Sequence, residues 1–174
     1  RRSSDLDMPK KFPLFIDLTE KKVVVYGAGV IASRRVETLL AFTSSLTVFA
    51  PEASERVQRA AEEGHLVWKR EAYQEGTIPA DAFMVLAATS DAWVNTQIWK
   101  ECKEKHILVN VCSDRDLCDF QFPGIASRGD LVIGINAGGQ DHRLAKIWTD
   151  KIKKEVTEDG FNNQTKTSSD ISKA

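Results

Sequence analysis

The sequence is poor in cysteine: three in 174 residues, at positions 102, 112 and 118. The count is odd and no Cys-x-x-Cys pair occurs, which argues against a disulfide scaffold and fits a reducing, cytoplasmic setting. The spacing of Cys112 and Cys118 is not a recognised zinc spacing. All three thiols read most simply as small buried apolar groups, with soft metal ligation by Cys112 and Cys118 as the other reading. No apolar run approaches the roughly 18 residues that a membrane span needs. The first residues, RRSSDLDMPKK, lack the apolar segment of a secretory signal. The chain opens without Met, and Met8 is a candidate start, with residues 1–7 a remnant of expression. Charge of one sign is lacking too: the net charge of -1 provides no global field for nucleic acid or an anionic membrane.

What is present, from Phe12 to about Asn110, is an alternation of strands and helices. KVVVYG is a short β-branched run closed by glycine, as expected of a buried parallel strand. VIASRRVETLLAF places Val30, Ile31, Val36, Leu39 and Leu40 at helical spacing. SLTVFAP is a strand stopped by Pro51, and EASERVQRAAEEG a polar helix closed by Gly64. HLVWKR and AFMVLAATS read as strands. DAWVNTQIWKECKEK reads as a helix with Val94, Ile98 and Cys102 on one face, and ILVNVC as a fifth strand. The expected fold is an α/β doubly wound parallel sheet.

After Cys112 the character changes. FQFPGIA and DLVIGIN are β-like runs joined by Ser127-Arg128-Gly129-Asp130, a hairpin signal. DHRLAKIWTDKIKKEV follows as an amphipathic helix with Leu144, Ile147, Trp148 and Ile152 apolar. The tail is polar and reads as disordered. Its Asn163-Gln164-Thr165 glycosylation pattern reads as chance.

The first strand runs into Gly27-Ala28-Gly29, then Val30-Ile31-Ala32, a G-x-G-x-x-A turn between strand and helix. Gly27 permits the tight turn, Gly29 lets a pyrophosphate approach the backbone, and Ala32 keeps the helix near the sheet. The helix N-terminus offers N–H groups and a positive dipole end to phosphates. A purely structural turn is the alternative. An acidic ribose ligand is expected about 20 residues on, where the chain has Phe49-Ala50-Pro51-Glu52. Either Glu52 takes the ribose or the backbone at Pro51 and Glu52 closes over the adenosine. No arginine directly follows the strand to take a 2′-phosphate, Arg56 lying a turn further on, so NAD is favoured over NADP. Thr89 and Asp91 fall at the carboxyl end of the fourth strand, where a crevice ligand would lie.

The segments FPLFIDLTEKKVVVYGAGVIASRRVETLL, LTVFAPE, VLAATSDAWVNTQI and VNVCSDRDLCDFQFPGIASRGDLVIGINAGG, with LAKIW after them, resemble the precorrin-2 dehydrogenase family of siroheme synthesis over Phe12 to Trp148. Some members of that family are also sirohydrochlorin ferrochelatases. The most specific pieces are A-A-T-x-D-x-x-V-N, from Ala87 to Asn95, and the block from Asn110 to Gly139. The resemblance implies a Rossmann-like NAD-binding domain over residues 12–112, a strand-exchanged dimerisation hairpin over 113–140, and a short C-terminal helical region over 141–158. Residues 159–174 form the tail. It implies removal of hydride and protons from precorrin-2 to give sirohydrochlorin and NADH. The family's nucleotide contacts map onto Gly27, Ala28, Gly29, Val30, Ile31, Pro51 and Glu52.

The chain departs from the family at three places. The bifunctional members have an aspartate after the fifth strand, where this chain has Ser113, with Asp114 next to it. Serine is a poor general base unless activated. A serine found before the glycine pair in some members is Ala137 here, and Ser-Pro after the pair is Asp141-His142. The C-terminal helical region also looks short. These departures weigh more against metal insertion than against dehydrogenation, because the cofactor supplies the hydride chemistry.

Ser113, Asp114 and His142 are therefore the catalytic candidates. His142 would bind a carboxylate, relay a proton or ligate a metal, or serve simply as a polar helix start. His65 and His106 read as surface and helix-end residues. A polycarboxylate substrate calls for positive charge, and Arg128, Gly138, Gly139 and Arg143 are the substrate-binding candidates, with Arg34, Arg35 and Lys146 further cations. Trp93 and Trp99 read as core; Trp148, beside the glycine pair, could line a macrocycle site. Three functions compete: an NAD-dependent precorrin-2 dehydrogenase; a chelatase taking Fe2+ or Co2+ as substrate; and a non-catalytic module binding NAD or a tetrapyrrole. An isolated hairpin that needs a partner points to a homodimer.

Overall fold

A computed structural model describes residues 11–138 and 141–157. The chain divides into a larger unit, residues 15–121, and a smaller one made of residues up to 14 and from 122 onward.

The larger unit is built on a parallel sheet of strands β1 (Val23–Tyr26), β2 (Leu46–Phe49), β3 (Val67–Lys69), β4 (Met84–Ala87) and β5 (Leu108–Val111), in the order β3-β2-β1-β4-β5. β1 is central because its four residues are apolar enough to be covered on both faces: Val23, Val24 and Val25 are fully buried and Tyr26 nearly so. Helices α1 (Val30–Leu39), α2 (Glu55–Glu62) and α3 (Ala92–Glu104) connect the strands. The register pairs Tyr26 with both Phe49 and Ala87, and Ala87 with Val111. The carboxyl ends of four strands are thus level, and Gly27, Ala50, Ala88 and Cys112 form one rim. The strand order reverses between β1 and β4, so the crevice of a doubly wound sheet opens on that rim.

The helices cover the sheet with narrower stripes than the periodicity suggested. On α1 the buried residues are Ala32, Ser33, Val36 and Leu39, while Val30 and Ile31 are 70% and 58% exposed. The first turn of α1 projects past the sheet end, so its apolar residues meet no core. Trp93 is likewise exposed, in the first turn of α3, while Ile98 and Cys102 pack inward. Burial pushes the Cys102 thiol up to about 12, and burial also raises Cys112 and Cys118. The Cys118 thiol accepts from Val111 N at 3.2 Å and donates to Val111 O at 3.3 Å. These are packed, protonated thiols.

Residues 112–121 run back beside β5. Asp119 N donates to Val109 O at 2.9 Å, the Asp119 carboxylate accepts from Val109 N at 3.0 Å, and Asn110 Nδ2 donates to Phe120 O at 2.8 Å.

The smaller unit is an antiparallel pair, β6 (Gly124–Arg128) and β7 (Leu131–Ile135), with α4 (His142–Thr157). Arg128 pairs with Leu131, so the hairpin turn is two residues, Gly129-Asp130, rather than the four-residue linker read from the sequence. Gly129 has φ +56° and Asp130 does not share a positive φ, the pattern of a type II′ turn matched to strand twist. α4 lies over β6: a Cβ on Gly124 would meet Thr149 Oγ1, and Arg128 Nη1 donates to Val156 O at 2.9 Å in the last turn. Asp141 starts α4 by accepting from Leu144 N at 2.8 Å. Leu131, Leu144, Ile147 and Trp148 remain exposed.

Candidate cofactor-binding site

Gly27 ends β1 with φ +101°, and a Cβ there would lie 2.3 Å from Ala88 O. The turn therefore closes directly on the β4 loop. Two residues on, Gly29 is the N-cap of α1 with φ -73° and ψ -171°. A Cβ on Gly29 would meet nothing within 4 Å. The two glycines have different jobs: the first is demanded by the fold, the second by whatever occupies the open space in front of it.

That space faces the N-terminus of α1. Among the described residues no side chain caps the helix, and its first turn has no acid. Ser33 N bonds back to Gly29 O at 2.9 Å, but the N–H groups of the first turn have no partner within a helix. They are left, with the positive dipole end, for an anion. The turn is braced from behind: Ser33 Oγ donates to Ala28 O at 3.1 Å and lies 2.8 Å from Ser54 Oγ, and Ser54 N donates to Ala28 O at 3.3 Å. Pro51 and Glu52 are exposed just past the end of β2. Arg56 is taken by Glu37, its Nη1 bonding both carboxylate oxygens at 2.9 and 3.0 Å. Positive-φ glycine, clear space before the helix and unspent amides fit the diphosphate of a dinucleotide.

On the other side of the switch point, Asp91 Oδ1 caps α3 by accepting from Trp93 N at 2.8 Å and Val94 N at 3.2 Å. Thr89 turns its hydroxyl into the loop, donating to Asn95 Oδ1 at 2.8 Å. Asn95 is fully buried and its Nδ2 donates to Ser113 Oγ at 3.1 Å. Ser113 is exposed at the end of β5. Asp114 is also exposed, and its carboxylate accepts from Asp116 N at 2.9 Å, capping a short 3-10 turn, Arg115–Leu117. The structure thus brings Gly27, Ala28, Gly29, Pro51, Glu52, Thr89, Asp91, Ser113 and Asp114, in loops, and Val30 and Ile31, in the first turn of α1, to one end of the sheet. Asn95 was quoted in the motif without a role. Its signal was an amide three residues before Ile98, on the stripe that buries Ile98 and Cys102.

The remaining candidates belong to the smaller unit. Arg128 is spent on the α4 carboxyl end, Gly138 has φ +68° and bonds Asn136 Oδ1 at 2.8 Å, and His142 and Arg143 are exposed in the first turn of α4. Gly139 and the tail over 159–174 lie outside the described residues. Among the described residues no group of three or more His, Cys, Asp or Glu is placed to hold a metal ion, and no helix is long and apolar enough to cross a membrane.

A doubly wound sheet with this glycine turn at its switch point defines a dinucleotide-binding domain. Residues 14–124 match the family model described as "Putative NAD(P)-binding". The chain is 38% identical over 145 residues to the "Probable multifunctional siroheme biosynthesis protein HemA" of Ruminiclostridium josui, covering 83% of this chain and 28% of that protein. It is 36% identical over 142 residues to the siroheme synthase of Pseudoalteromonas atlantica, covering 82% and 30%. Among solved structures, "SirC, precorrin-2 dehydrogenase" superposes with a TM-score of 0.72 at 29% identity, over 83% of this chain and 70% of that one. The chain belongs to this NAD(P)-binding family. It spans less than a third of the length of the curated relatives it matches.

Proposed function

We propose that this chain is an NAD-dependent dehydrogenase that converts precorrin-2 to sirohydrochlorin in siroheme synthesis. The observation that carries the reading is the open space at Gly29, in front of the uncapped N-terminus of α1 and on the rim where the sheet reverses order. NAD, when bound, supplies the hydride acceptor. The residues of the chain bind and orient. Amides from Gly27 to Ile31 hold the diphosphate, and Val30 and Ile31 offer apolar contact beside it. Pro51 and Glu52 hold the adenosine ribose, and NAD is favoured over NADP because Arg56 is engaged with Glu37. Thr89 and Asp91 shape the floor of the site.

The candidates of the larger unit toward the tetrapyrrole are Ser113 and Asp114; those of the smaller unit, taken by itself, are His142, Arg128, Gly138, Gly139 and Arg143, of which Arg128 would exchange its bond to Val156 O for one to substrate. The protons that leave with the hydride pass to solvent or to a side chain, Asp114 being the candidate of the larger unit and His142 that of the smaller one. Insertion of Fe2+ or Co2+ as a substrate is supported less well, since Asp114 is already occupied as a cap and Ser113 replaces a carboxylate. The setting is the cytoplasm.

A homodimer belongs to the same reading. Leu131, Leu144, Ile147 and Trp148 are exposed on a two-stranded hairpin and its helix, and such a hairpin is marginal alone. A second copy covers that face. Light scattering should report a dimer, and Trp148→Asp should lower its mass to the monomer's.

The test of function is anaerobic incubation with precorrin-2, with and without NAD, followed by metal. NADH formation that requires both compounds is expected. Binding of NAD and tetrapyrrole without turnover would leave a non-catalytic module, and a metal-dependent change without NAD would leave a chelatase.

A further inference from the structure

We propose that Asn95 is a positioning residue that fixes Ser113 as a hydrogen-bond donor to the substrate and excludes it as a base. The inference rests on the dehydrogenase reading and assigns a role within the same site.

The direction follows from the bonding of one amide. Thr89 N–H can only donate, so the oxygen of the Asn95 amide must face it, at 3.0 Å. The Thr89 hydroxyl, 2.8 Å from the same oxygen and 3.0 Å from Asp91 O, shares its one proton between them. With the oxygen fixed there, the amino group faces the opposite way. One of its protons goes to Thr89 O at 3.1 Å and the other to Ser113 Oγ at 3.1 Å. All the bonding capacity of the buried amide is then used, and a fully satisfied buried network is rigid. Ser113 Oγ accepts on its inner side. Its own proton is left for a group arriving at the exposed rim, which must be an acceptor: a carboxylate or carbonyl oxygen of the tetrapyrrole. An oxygen that already accepts from Asn95, and whose proton no base among the described residues bonds, does not abstract a proton from substrate. The same network reaches the cofactor turn, because the loop that Asn95 grips, at Ala88 and Thr89, is the one that closes on Gly27.

Three measurements test this. In proton–nitrogen NMR, Ser113→Ala should shift one of the two Asn95 side-chain amide protons; a shift in neither overturns the inference without reference to turnover. In kinetics with precorrin-2, Ser113→Ala should raise KM about tenfold, the effect of one lost hydrogen bond to a charged group, and leave the shape of the pH profile unchanged. Loss of a limb of that profile would make Ser113 a base and overturn the assignment. Asn95→Asp keeps both bonds from Thr89 donors and loses both donations, to Thr89 O and to Ser113 Oγ. It should raise KM similarly, and the Asn95→Asp/Ser113→Ala double variant should be no worse than either. Multiplying losses, or an equal loss of NAD affinity by calorimetry, would mean a structural role only. If Asn95→Asp does not fold, the two Ser113→Ala measurements decide. Absence of wild-type turnover overturns the dehydrogenase reading and the substrate half of the inference, while the NMR result still decides the orientation half.

Discussion

The carbonyl of Ala88 occupies the place where a side chain on Gly27 would begin: a Cβ there would stand 2.3 Å from the oxygen. Gly27 also has φ +101°, a conformation that L side chains rarely adopt. Gly27→Ala should therefore destabilise the domain by roughly 2–4 kcal/mol, combining backbone strain with overpacking. Gly29→Ala meets no atom and has an ordinary φ, so its melting temperature should stay near wild type. Its methyl group fills the space before α1, and NAD affinity should fall at least tenfold by calorimetry. Equal NAD binding in Gly29→Ala and wild type would remove the diphosphate from this turn.

Glu37 and Arg56 join α1 to α2 through both carboxylate oxygens. The pair is exposed, with side-chain accessibilities of 45% and 68%, so it contributes within about 1 kcal/mol to stability. Its consequence is for cofactor choice, since it removes the arginine nearest the end of β2 from a 2′-phosphate. Glu37→Gln should leave NAD affinity unchanged and improve NADP affinity by about tenfold, the value of one charge-assisted bond. Unaltered NADP affinity would place Arg56 out of reach of the ribose.

The sheet was legible because Val23, Val24 and Val25 are consecutive, β-branched and followed by glycine, a pattern with few other uses. The turn was legible because Gly27 and Gly29 follow that strand directly. The fate of Val30 and Ile31 was not: periodicity counts apolar residues but does not say that the first helical turn overhangs the sheet. Trp93 misled for the same reason. In the smaller unit, the turn of the hairpin was placed in the right four residues, but its two-residue form depends on Arg128 pairing with Leu131. Arg128 illustrates a deeper limit. Its partner, Val156 O, is 28 residues away, and only the packing of α4 over β6 brings them together. Asn95 and Ser113 are 18 residues apart, joined because β4 and β5 end level. Tertiary contacts of this kind have no local signature.

His106 has φ +56° at the end of α3. It occupies the left-handed position of a Schellman-type cap, with His106 N donating to Lys103 O at 3.3 Å and Ile107 N to Cys102 O at 2.9 Å. Glycine is the usual residue there. The left-handed strain of a non-glycine exceeds the entropy cost of glycine by about 0.5–1 kcal/mol. His106→Gly should raise the melting temperature by about 1–3 °C without altering NAD binding. A lower melting temperature would show that the imidazole contributes more than the backbone strain costs.

Glu101 is buried on α3 and holds the β3–β4 connection in place. Its carboxylate accepts from Tyr73 Oη at 2.7 Å, Gly76 N at 3.0 Å, Ile78 N at 3.0 Å and Lys105 Nζ at 2.7 Å. Burial opposes its ionisation, but the bonds from Lys105, Tyr73 and the two backbone amides outweigh it and hold the carboxyl below its ordinary value. A depressed folded-state value stabilises the protein at pH above the ordinary glutamate value, and that contribution is lost as pH falls through the folded value. Glu101→Gln keeps the shape but places an amino group against donors, and at neutral pH it should cost roughly 2–4 kcal/mol. The gap between wild type and Glu101→Gln in denaturant melts should therefore be widest near neutrality and narrow progressively below the ordinary glutamate range. A gap that stayed constant down to the acid limit would show that the bonds do not depend on the charge.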